Sequence, residues 1–322
     1  MALKNIRELF PKELRQHFEE GIISLEHLQE IRLQIGQPVR LLSDGREYFI
    51  NEEGRLQHHL SGVWRIKEQE MDQLLQHICR YSIYAFEEEM KQGFITVAGG
   101  HRIGLAGQVV LEADGKVRNL KQVRFMNIRI SHEIVGISDA LLPYLYENGS
   151  FQNTLLIAPP GCGKTTMLRD IIRQISDGNI YGKGQQVGVV DERSEIAGSY
   201  MGIPQNQIGM RTDVMDACPK VEGIMMLLRS MAPAVLAVDE IGSREDLQAI
   251  LQAGQCGSRV VATMHGAAPA DIRTRQADKA IALGEIFERF VFMERTNGTY
   301  RIKEIYGKDW VKCSSFLESS VS

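Results

Sequence analysis

Apolar residues in the first part of the chain recur mainly at helical spacing. Between residues 71 and 78 the apolar positions fall at i, i+3, i+4 and i+7, which predicts a helix with one core-facing stripe. Residues 3–32 show a similar spacing that is interrupted at Pro11 and Gly21. This pattern predicts two short helices before the first strand.

Strand-like runs follow, and turn signals separate them. A strand near residues 38–42 is expected to pair with the run GREYFI, and three further runs read GFITVAGG, RIGLAGQVVLE and QVRFMNIRIS. These runs predict an antiparallel sheet, with a bulge near Asn127 where the apolar parity changes. Residues 1–137 are therefore expected to form a small α+β domain.

The second half of the chain alternates helical patterns with short apolar runs, such as QQVGVVDE, AVLAVDE and RVVATMH. This rhythm predicts parallel strands that are buried on both faces of a sheet. The run ERFVFMERTNGTYRIKEIY predicts a hairpin that turns at Asn297-Gly298. The predicted fold class is α/β, with a doubly wound core in a second domain over residues 138–322.

Composition narrows the functional classes. The chain has 322 residues, a net charge of -4 and five cysteines without a C-x-x-C pair, so neither a global basic field nor a disulfide frame nor a zinc site is expected. No run of eighteen apolar residues occurs. We expect a cytoplasmic protein without a transmembrane segment of its own, and any peripheral membrane association would come through partners.

The strongest chemical motif is TLLIAPPGCGKTT, an apolar strand followed by a glycine-rich loop and a helix start. Gly161 and Gly163 leave room for backbone amides to approach phosphates. Lys164 is suited to the β- and γ-phosphates of ATP, and the hydroxyl of Thr165 to a Mg²⁺ ion. The predicted nucleotide-binding residues are Ala158, Pro159, Pro160, Gly161, Cys162, Gly163, Lys164, Thr165 and Thr166.

Acidic residues end two other predicted strands. Asp239 and Glu240 follow an apolar strand and resemble a Walker B motif, in which Asp239 holds the Mg²⁺ shell and Glu240 polarises the attacking water. Asp191 and Glu192 end another run, and the carboxyl ends of parallel strands share one edge. His265 ends a third run at the same predicted edge, where it is expected to sense or contact phosphate.

Along the chain these four motifs are a Walker A loop, an acidic box (DERSE), a Walker B strand and a histidine box (TMHG), and in that order they resemble the ATPases of type II and type IV secretion. More narrowly, APPGCGKTT, VVDERSEIAGSY, IGMRTDVMDACPK and VDEIGSREDLQAI resemble the stage III sporulation AA family. The resemblance implies a RecA-like core and a hexameric motor for a transenvelope channel between mother cell and forespore, docked on membrane channel proteins.

The same resemblance implies roles for individual residues. Asp191 would position the water and Glu240 would be the base, while Lys164 and Glu192 complete the predicted catalytic set. Asp239 stands where many secretion ATPases have glycine, which leaves the division of labour between the acids open. Arginines of the amino-terminal domain, Arg124 and Arg129, and Arg211 of the second domain are candidates for phosphate or interface contacts.

Two other functions remain open. A P-loop ATPase that handles nucleic acid would use the basic series Arg118, Lys121, Arg124 and Arg129 near Phe125, although the acidic overall balance argues against a stable nucleic-acid partner. A nucleotide-gated scaffold would hydrolyse ATP slowly to time an assembly.

Overall fold

The computed structural model describes residues 6–18, 28–80, 82, 86–270, 283–296 and 299–315. The chain divides into two compact units, of which the first comprises Met1–His132 and Gly198–Gln205 and the second Glu133–Ala197 and Asn206–Ser322. The boundary placed after residue 137 from the sequence stays a prediction, and it does not anticipate the second segment of the first unit.

The first unit contains a seven-stranded antiparallel sheet with the order β4-β3-β2-β1-β7-β6-β5. Its strands are β1 (Leu28–Gln34), β2 (Arg40–Ser43), β3 (Arg46–Ile50), β4 (Leu56–Gln57), β5 (Phe94–Val97), β6 (His101–Leu111) and β7 (Val117–Arg129). Its helices are α1 (Lys12–Arg15), α2 (Glu68–Ile78) and α3 (Glu87–Lys91). Helix α2 buries the predicted apolar stripe in the core of this unit.

The antiparallel sheet and the β2–β3 pairing are confirmed, but two local predictions are wrong. Residues 28–32, predicted as helical, belong to strand β1, which buries Ile31 and Leu33 on one face. The irregular pairing of β7 lies opposite Ala106 and Gly107, with Gln122 at a φ of 54°, rather than near Asn127.

The segment Gly198–Gln205 contributes an aromatic side chain to the core of the first unit. The ring of Tyr200 stacks on Phe86 with the centroids 6.4 Å apart, and the guanidinium of Arg80 lies 5.2 Å from its centroid. The amide of Gly99 donates a hydrogen bond of 3.0 Å to the side-chain oxygen of Gln205. The chain thus leaves the second unit after Ala197 and returns to it at Asn206.

The second unit is built on an eight-stranded sheet with the order β14-β13-β15-β16-β10-β17-β18-β19. Its strands are β10 (Thr154–Ala158), β13 (Val187–Asp191), β14 (Thr212–Asp216), β15 (Val235–Val238), β16 (Arg259–His265), β17 (Arg289–Thr296), β18 (Thr299–Gly307) and β19 (Lys312–Ser315), and two small hairpins comprise β8 (Tyr146–Glu147) with β9 (Ser150–Phe151) and β11 (Gly178–Asn179) with β12 (Gly182–Lys183). Its helices are α4 (Leu142–Leu145), α5 (Lys164–Asp177), α6 (Lys220–Ser230) and α7 (Arg244–Gln255).

The first six strands of that sheet order, from β14 through β13, β15, β16 and β10 to β17, are parallel to one another. Strands β18 and β19 add an antiparallel edge. Both faces of the parallel part are covered, because Leu156 and Ala158 pack in one apolar cluster whereas Leu155 and Ile157 pack in another. The predicted β17–β18 hairpin is confirmed, while its predicted turn at Asn297-Gly298 lies outside the described residues. None of the helices within the described residues has the length and hydropathy to span a bilayer.

Candidate functional site

The glycine-rich loop connects strand β10 to helix α5. Ala158 ends β10, and α5 begins at Lys164 after a loop in which Gly161 and Gly163 both adopt left-handed φ angles of 72° and 76°. A Cβ at Gly163 would lie 2.8 Å from ring atoms of Tyr300, so only glycine fits without a shift of the β18 side chain. The loop therefore has the form of an anion cradle at a helix amino terminus.

Lys164 is folded back over this loop. Its ammonium group donates to the carbonyls of Ala158 and Pro159 at 3.1 and 3.2 Å and to Nδ1 of His265 at 3.1 Å. Burial lowers the pKa of Lys164, and the nearby charges of Asp239 and Glu240 oppose that shift. The ammonium group of Lys164 is thus held beside the loop by two carbonyls and an imidazole nitrogen, all of which phosphate oxygens can replace.

Asp239 follows strand β15 and joins the loop to the neighbouring strand β16. One of its carboxylate oxygens accepts a 2.8 Å hydrogen bond from the hydroxyl of Thr165, and the other accepts one from the hydroxyl of Thr263. Thr263 in turn accepts the main-chain N–H of Glu240 at 2.8 Å. A hydroxyl of the predicted phosphate loop and the carboxylate of the predicted Walker B strand therefore meet directly.

Glu240 lies at the same edge of the sheet in a left-handed conformation with a φ of 51°. Its carboxylate is 3.1 Å from Nε2 of His265 and 3.0 Å from a guanidinium nitrogen of Arg193. A neutral His265 satisfies both of its contacts, since Nδ1 accepts from Lys164 while Nε2–H donates to Glu240. The imidazole thus connects the loop cation to the acid.

Asp191 ends strand β13, in which Val190 lies opposite Val238 of β15. Its carboxylate is buried and accepts the main-chain N–H groups of Glu195, Ile196 and Ala197 at 2.8, 3.0 and 2.8 Å. Burial raises the pKa of Asp191 to about 6, although these hydrogen bonds favour the ionised form. Asp191 thus holds a turn rather than facing solvent.

An ion pair between Glu192 and Lys220 also lies at this edge of the sheet. Glu192, which follows Asp191, forms an ion pair with Lys220 at the start of helix α6. A small cleft of the second unit is lined by both residues and by Asp191, Asp239 and Glu240. The four predicted strand ends, including that of β16 with His265, are therefore brought together at one edge of the sheet.

Of the three candidate arginines, Arg211 belongs to the second unit, and Arg124 and Arg129 belong to the first. Arg211 precedes strand β14 at its amino end, and its guanidinium donates to the carbonyl of Ser176 at 2.8 Å. In the first unit, Arg124 pairs with Glu68 at 2.8 Å and Arg129 with Glu30 at 3.6 Å. The structure does not bring Arg211 to the carboxyl edge of the sheet, where the glycine-rich loop lies.

Several residues at the site were not among the sequence-based candidates. Thr263 is buried between Asp239 and Glu240, Arg193 pairs with Glu240, and Tyr300 covers Gly163. Thr263 lies two residues before His265 in the same motif, which is a usable signal. Tyr300 has no such signal, because its contact depends on how the β17–β18 hairpin folds back on the loop.

Comparisons with known proteins agree with this architecture. A profile of the family described as "Sporulation stage III, protein AA" matches residues 2–312. The stage III sporulation protein AA of Bacillus subtilis (strain 168) is 41% identical over 310 residues, which cover 95% of this chain and 96% of that protein.

Solved structures show the fold. The ATPase DotB of Legionella pneumophila aligns over 88% of this chain and 77% of its own with a TM-score of 0.57 and 16% identity. The pilus retraction motor PilT, solved with bound ADP, aligns over 87% and 79% with a TM-score of 0.58 and 18% identity. The α/β fold class with a RecA-like core is confirmed, and so is the family resemblance. The chain belongs to the sporulation stage III protein AA family.

Proposed function

We propose that the second unit binds ATP with Mg²⁺ and hydrolyses it. The observation that carries this proposal is the 2.8 Å hydrogen bond between the hydroxyl of Thr165 and the carboxylate of Asp239, which are 74 residues apart in sequence. A hydroxyl at the start of a helix beside a strand-end carboxylate is the arrangement that P-loop NTPases use for a nucleotide-bound metal. The solved structures of similar fold, an ATPase and a motor with bound ADP, support the proposal.

The residues present fit a magnesium ion. Among the described residues, no three His, Cys, Asp or Glu side chains form a metal cluster. Mg²⁺ at a nucleotide does not need one, since it keeps several waters and takes most of its remaining ligands from phosphates. Thr165 and Asp239 would hold it, and when bound it neutralises the charge of the phosphate oxygens.

The remaining roles follow from the contacts. The backbone amides of loop 158–166 and the ammonium of Lys164 would bind the terminal phosphates, with Lys164 exchanging its carbonyl partners for phosphate oxygens. Glu240 would accept the proton of the attacking water, because its carboxylate is partly exposed and is oriented by His265 and Arg193. Asp191 would act through the turn that it holds, while Glu192 would remain paired with Lys220.

The mutational test removes the loop cation. Lys164→Ala is expected to lower ATP turnover about 10²–10³-fold, the loss typical of one preorganised charge-stabilising group. Lys183→Ala, at an exposed position of the same unit, is the matched control and should retain turnover. Circular dichroism verifies that both variants fold. Parental turnover in a folded Lys164→Ala protein would show that the loop does not carry the reaction.

We further propose that the protein works as a homohexameric motor that serves a sporulation channel between mother cell and forespore, at the cytoplasmic face of a membrane and through membrane partners. Membership of the sporulation stage III protein AA family supports this role. In a ring, Arg124, Arg129 or Arg211 would reach the phosphates of a neighbouring subunit.

Mass in solution, measured with and without nucleotide alongside turnover, tests the ring. Coupling between the two is expected of a ring motor, and a monomer with full turnover contradicts it. Addition of single-stranded DNA in the same assay tests the alternative of nucleic-acid handling, which predicts salt-dependent stimulation. Two of the cations on which that alternative depends, Arg124 and Arg129, pair with carboxylates.

A further inference from the structure

Arg169 is a buried cation in the middle of helix α5. It lies in the buried stretch 167–172, and only 7% of its surface is exposed. Its Nε and Nη2 donate hydrogen bonds of 2.7 Å to the carbonyls of Ile196 and Glu195. The guanidinium therefore grips two consecutive peptide groups of the loop that follows strand β13.

Those two carbonyls belong to the turn that binds Asp191. The amides of Glu195, Ile196 and Ala197 point to the carboxylate of Asp191, while the carbonyls of the first two point to Arg169. Asn206 is a third side chain that binds this turn, because its side-chain amide donates a 3.0 Å hydrogen bond to the carbonyl of Ile196. The turn is thus held by an acid on one side and by a bidentate cation on the other.

Burial of a guanidinium group is energetically unfavourable. Removing a charge from water costs several kcal/mol, and an apolar side chain of similar volume packs into a helix interior without that cost. The planar fork of arginine can however bind two acceptors with fixed geometry, which neither lysine nor methionine can reproduce. The grip on two carbonyls is what an arginine at this position provides.

We propose that Arg169 is a positioning residue that fixes the turn 195–197, and with it Asp191, relative to the helix whose first turn carries Lys164 and Thr165. The inference rests on the proposed ATPase function. Segment 198–205 leaves directly from this turn and belongs to the first unit, so the turn needs a firm hold on its nucleotide-binding side. Arg169 supplies that hold through the carbonyls of Glu195 and Ile196.

The experiment compares three variants of the full chain. Arg169→Met removes the fork, and Arg169→Lys keeps the charge with a single donor. Arg173→Met is the matched control, since Arg173 lies on the same helix and pairs with Asp170 at 2.7 Å rather than with the turn. Each variant is measured for hydrogen exchange at the amides of residues 195–197, for affinity for MgADP and for ATP turnover.

In Arg169→Met we expect these amides to exchange at least about tenfold faster, because the turn opens locally. The value of kcat should fall about 10²-fold, the loss that follows a misplacement of about 1 Å, with MgADP affinity within about threefold of the parent. Arg169→Lys should be intermediate in both readouts, and it decides the matter alone if Arg169→Met does not fold. Arg173→Met should match the parent.

Unchanged exchange at residues 195–197 in the Arg169 variants would overturn the inference, as would a kcat equal to that of the parent. A parallel loss of MgADP affinity and of kcat would also overturn it, because it would indicate a general structural role. The exchange arm does not depend on hydrolysis. If the parent shows no turnover above Lys164→Ala, the proposed function fails, while exchange still decides whether Arg169 positions the turn.

Discussion

Gly161 and Gly163 are left-handed glycines of the same loop that differ in what surrounds them. An added Cβ at Gly161 meets no described atom within 4 Å, whereas one at Gly163 lies 2.8 Å from the ring of Tyr300. Alanine at either site bears the left-handed backbone cost of about 1–2 kcal/mol. Only Gly163→Ala adds an overpacking cost of about 1–3 kcal/mol. We therefore expect the free energy of unfolding to fall by about 2–5 kcal/mol in Gly163→Ala and by about 1–2 kcal/mol in Gly161→Ala.

The protein carries a natural probe for this comparison. It has two tryptophans, of which Trp64 belongs to the first unit and Trp310 packs on Phe290 in the second with ring centroids 4.2 Å apart. In a Trp64→Phe background, fluorescence reports the urea unfolding of the second unit alone, and its midpoint and slope give the free energy of unfolding. Each glycine variant is measured with Tyr300 and with Tyr300→Ala.

The steric argument predicts that Tyr300→Ala shrinks the difference between the two glycine variants towards zero, because the ring that obstructs the Cβ is gone. The backbone cost should remain in both. Equal costs for the two glycine variants in the presence of Tyr300 would refute the reasoning. So would a Gly163→Ala penalty that persists unchanged after the ring has been removed.

Three further predictions concern the acids of the site. Glu240→Gln should lower ATP turnover about 10²–10⁴-fold while MgATP still binds, and single-turnover phosphate release measures this. A sporulation assay of the same variant separates a motor from a scaffold. A motor with this substitution fails to support sporulation, whereas a scaffold still supports its partners. Thr263→Val should cost about 1–3 kcal/mol in urea unfolding because Asp239 and Glu240 lose a buried partner, whereas Thr263→Ser should cost less. Burial raises the pKa of Asp191 from 3.8 to about 6, so this carboxyl contributes about 3 kcal/mol of stability below pH 4 that is lost as the pH rises through 6. The fall in the free energy of unfolding with rising pH should be absent in Asp191→Asn. An equal fall in the parent and in Asp191→Asn would contradict the raised pKa of Asp191.

The sequence predicted parallel strands because β13, β15 and β16 are short apolar runs that end in, or are directly followed by, a polar residue. It also predicted the neighbourhood of the loop, Asp239, Asp191 and His265, since parallel strands end at one edge. Strand β1 was misread because Leu28 and Ile31 satisfy a helical spacing as well as a strand that buries one face. The irregularity at Gln122 was misplaced because its left-handed φ of 54° occurs at a residue without a turn signature.

The contacts that complete the site could not be predicted from spacing. Arg169 reads as a charged interruption of an apolar helix, and its carbonyl partners lie 26 and 27 residues further along the chain. Thr263 is a buried strand residue like its neighbours until the carboxylate of Asp239 is placed beside it. Such contacts depend on long-range side-chain geometry, for which local periodicity carries no information.

The excursion of residues 198–205 has a consequence for how this protein can be divided. A single cut between His132 and Glu133 yields a larger fragment that retains Tyr200, while the stacking partners of that ring, Phe86 and Arg80, remain in the smaller one. The smaller fragment would have a vacant place in its core, and the larger would expose a surplus aromatic loop. A separable fragment of the second unit therefore calls for a short bridge between Ala197 and Asn206, because the main-chain N–H of Asn206 already donates a 3.0 Å hydrogen bond to the carbonyl of Ala197.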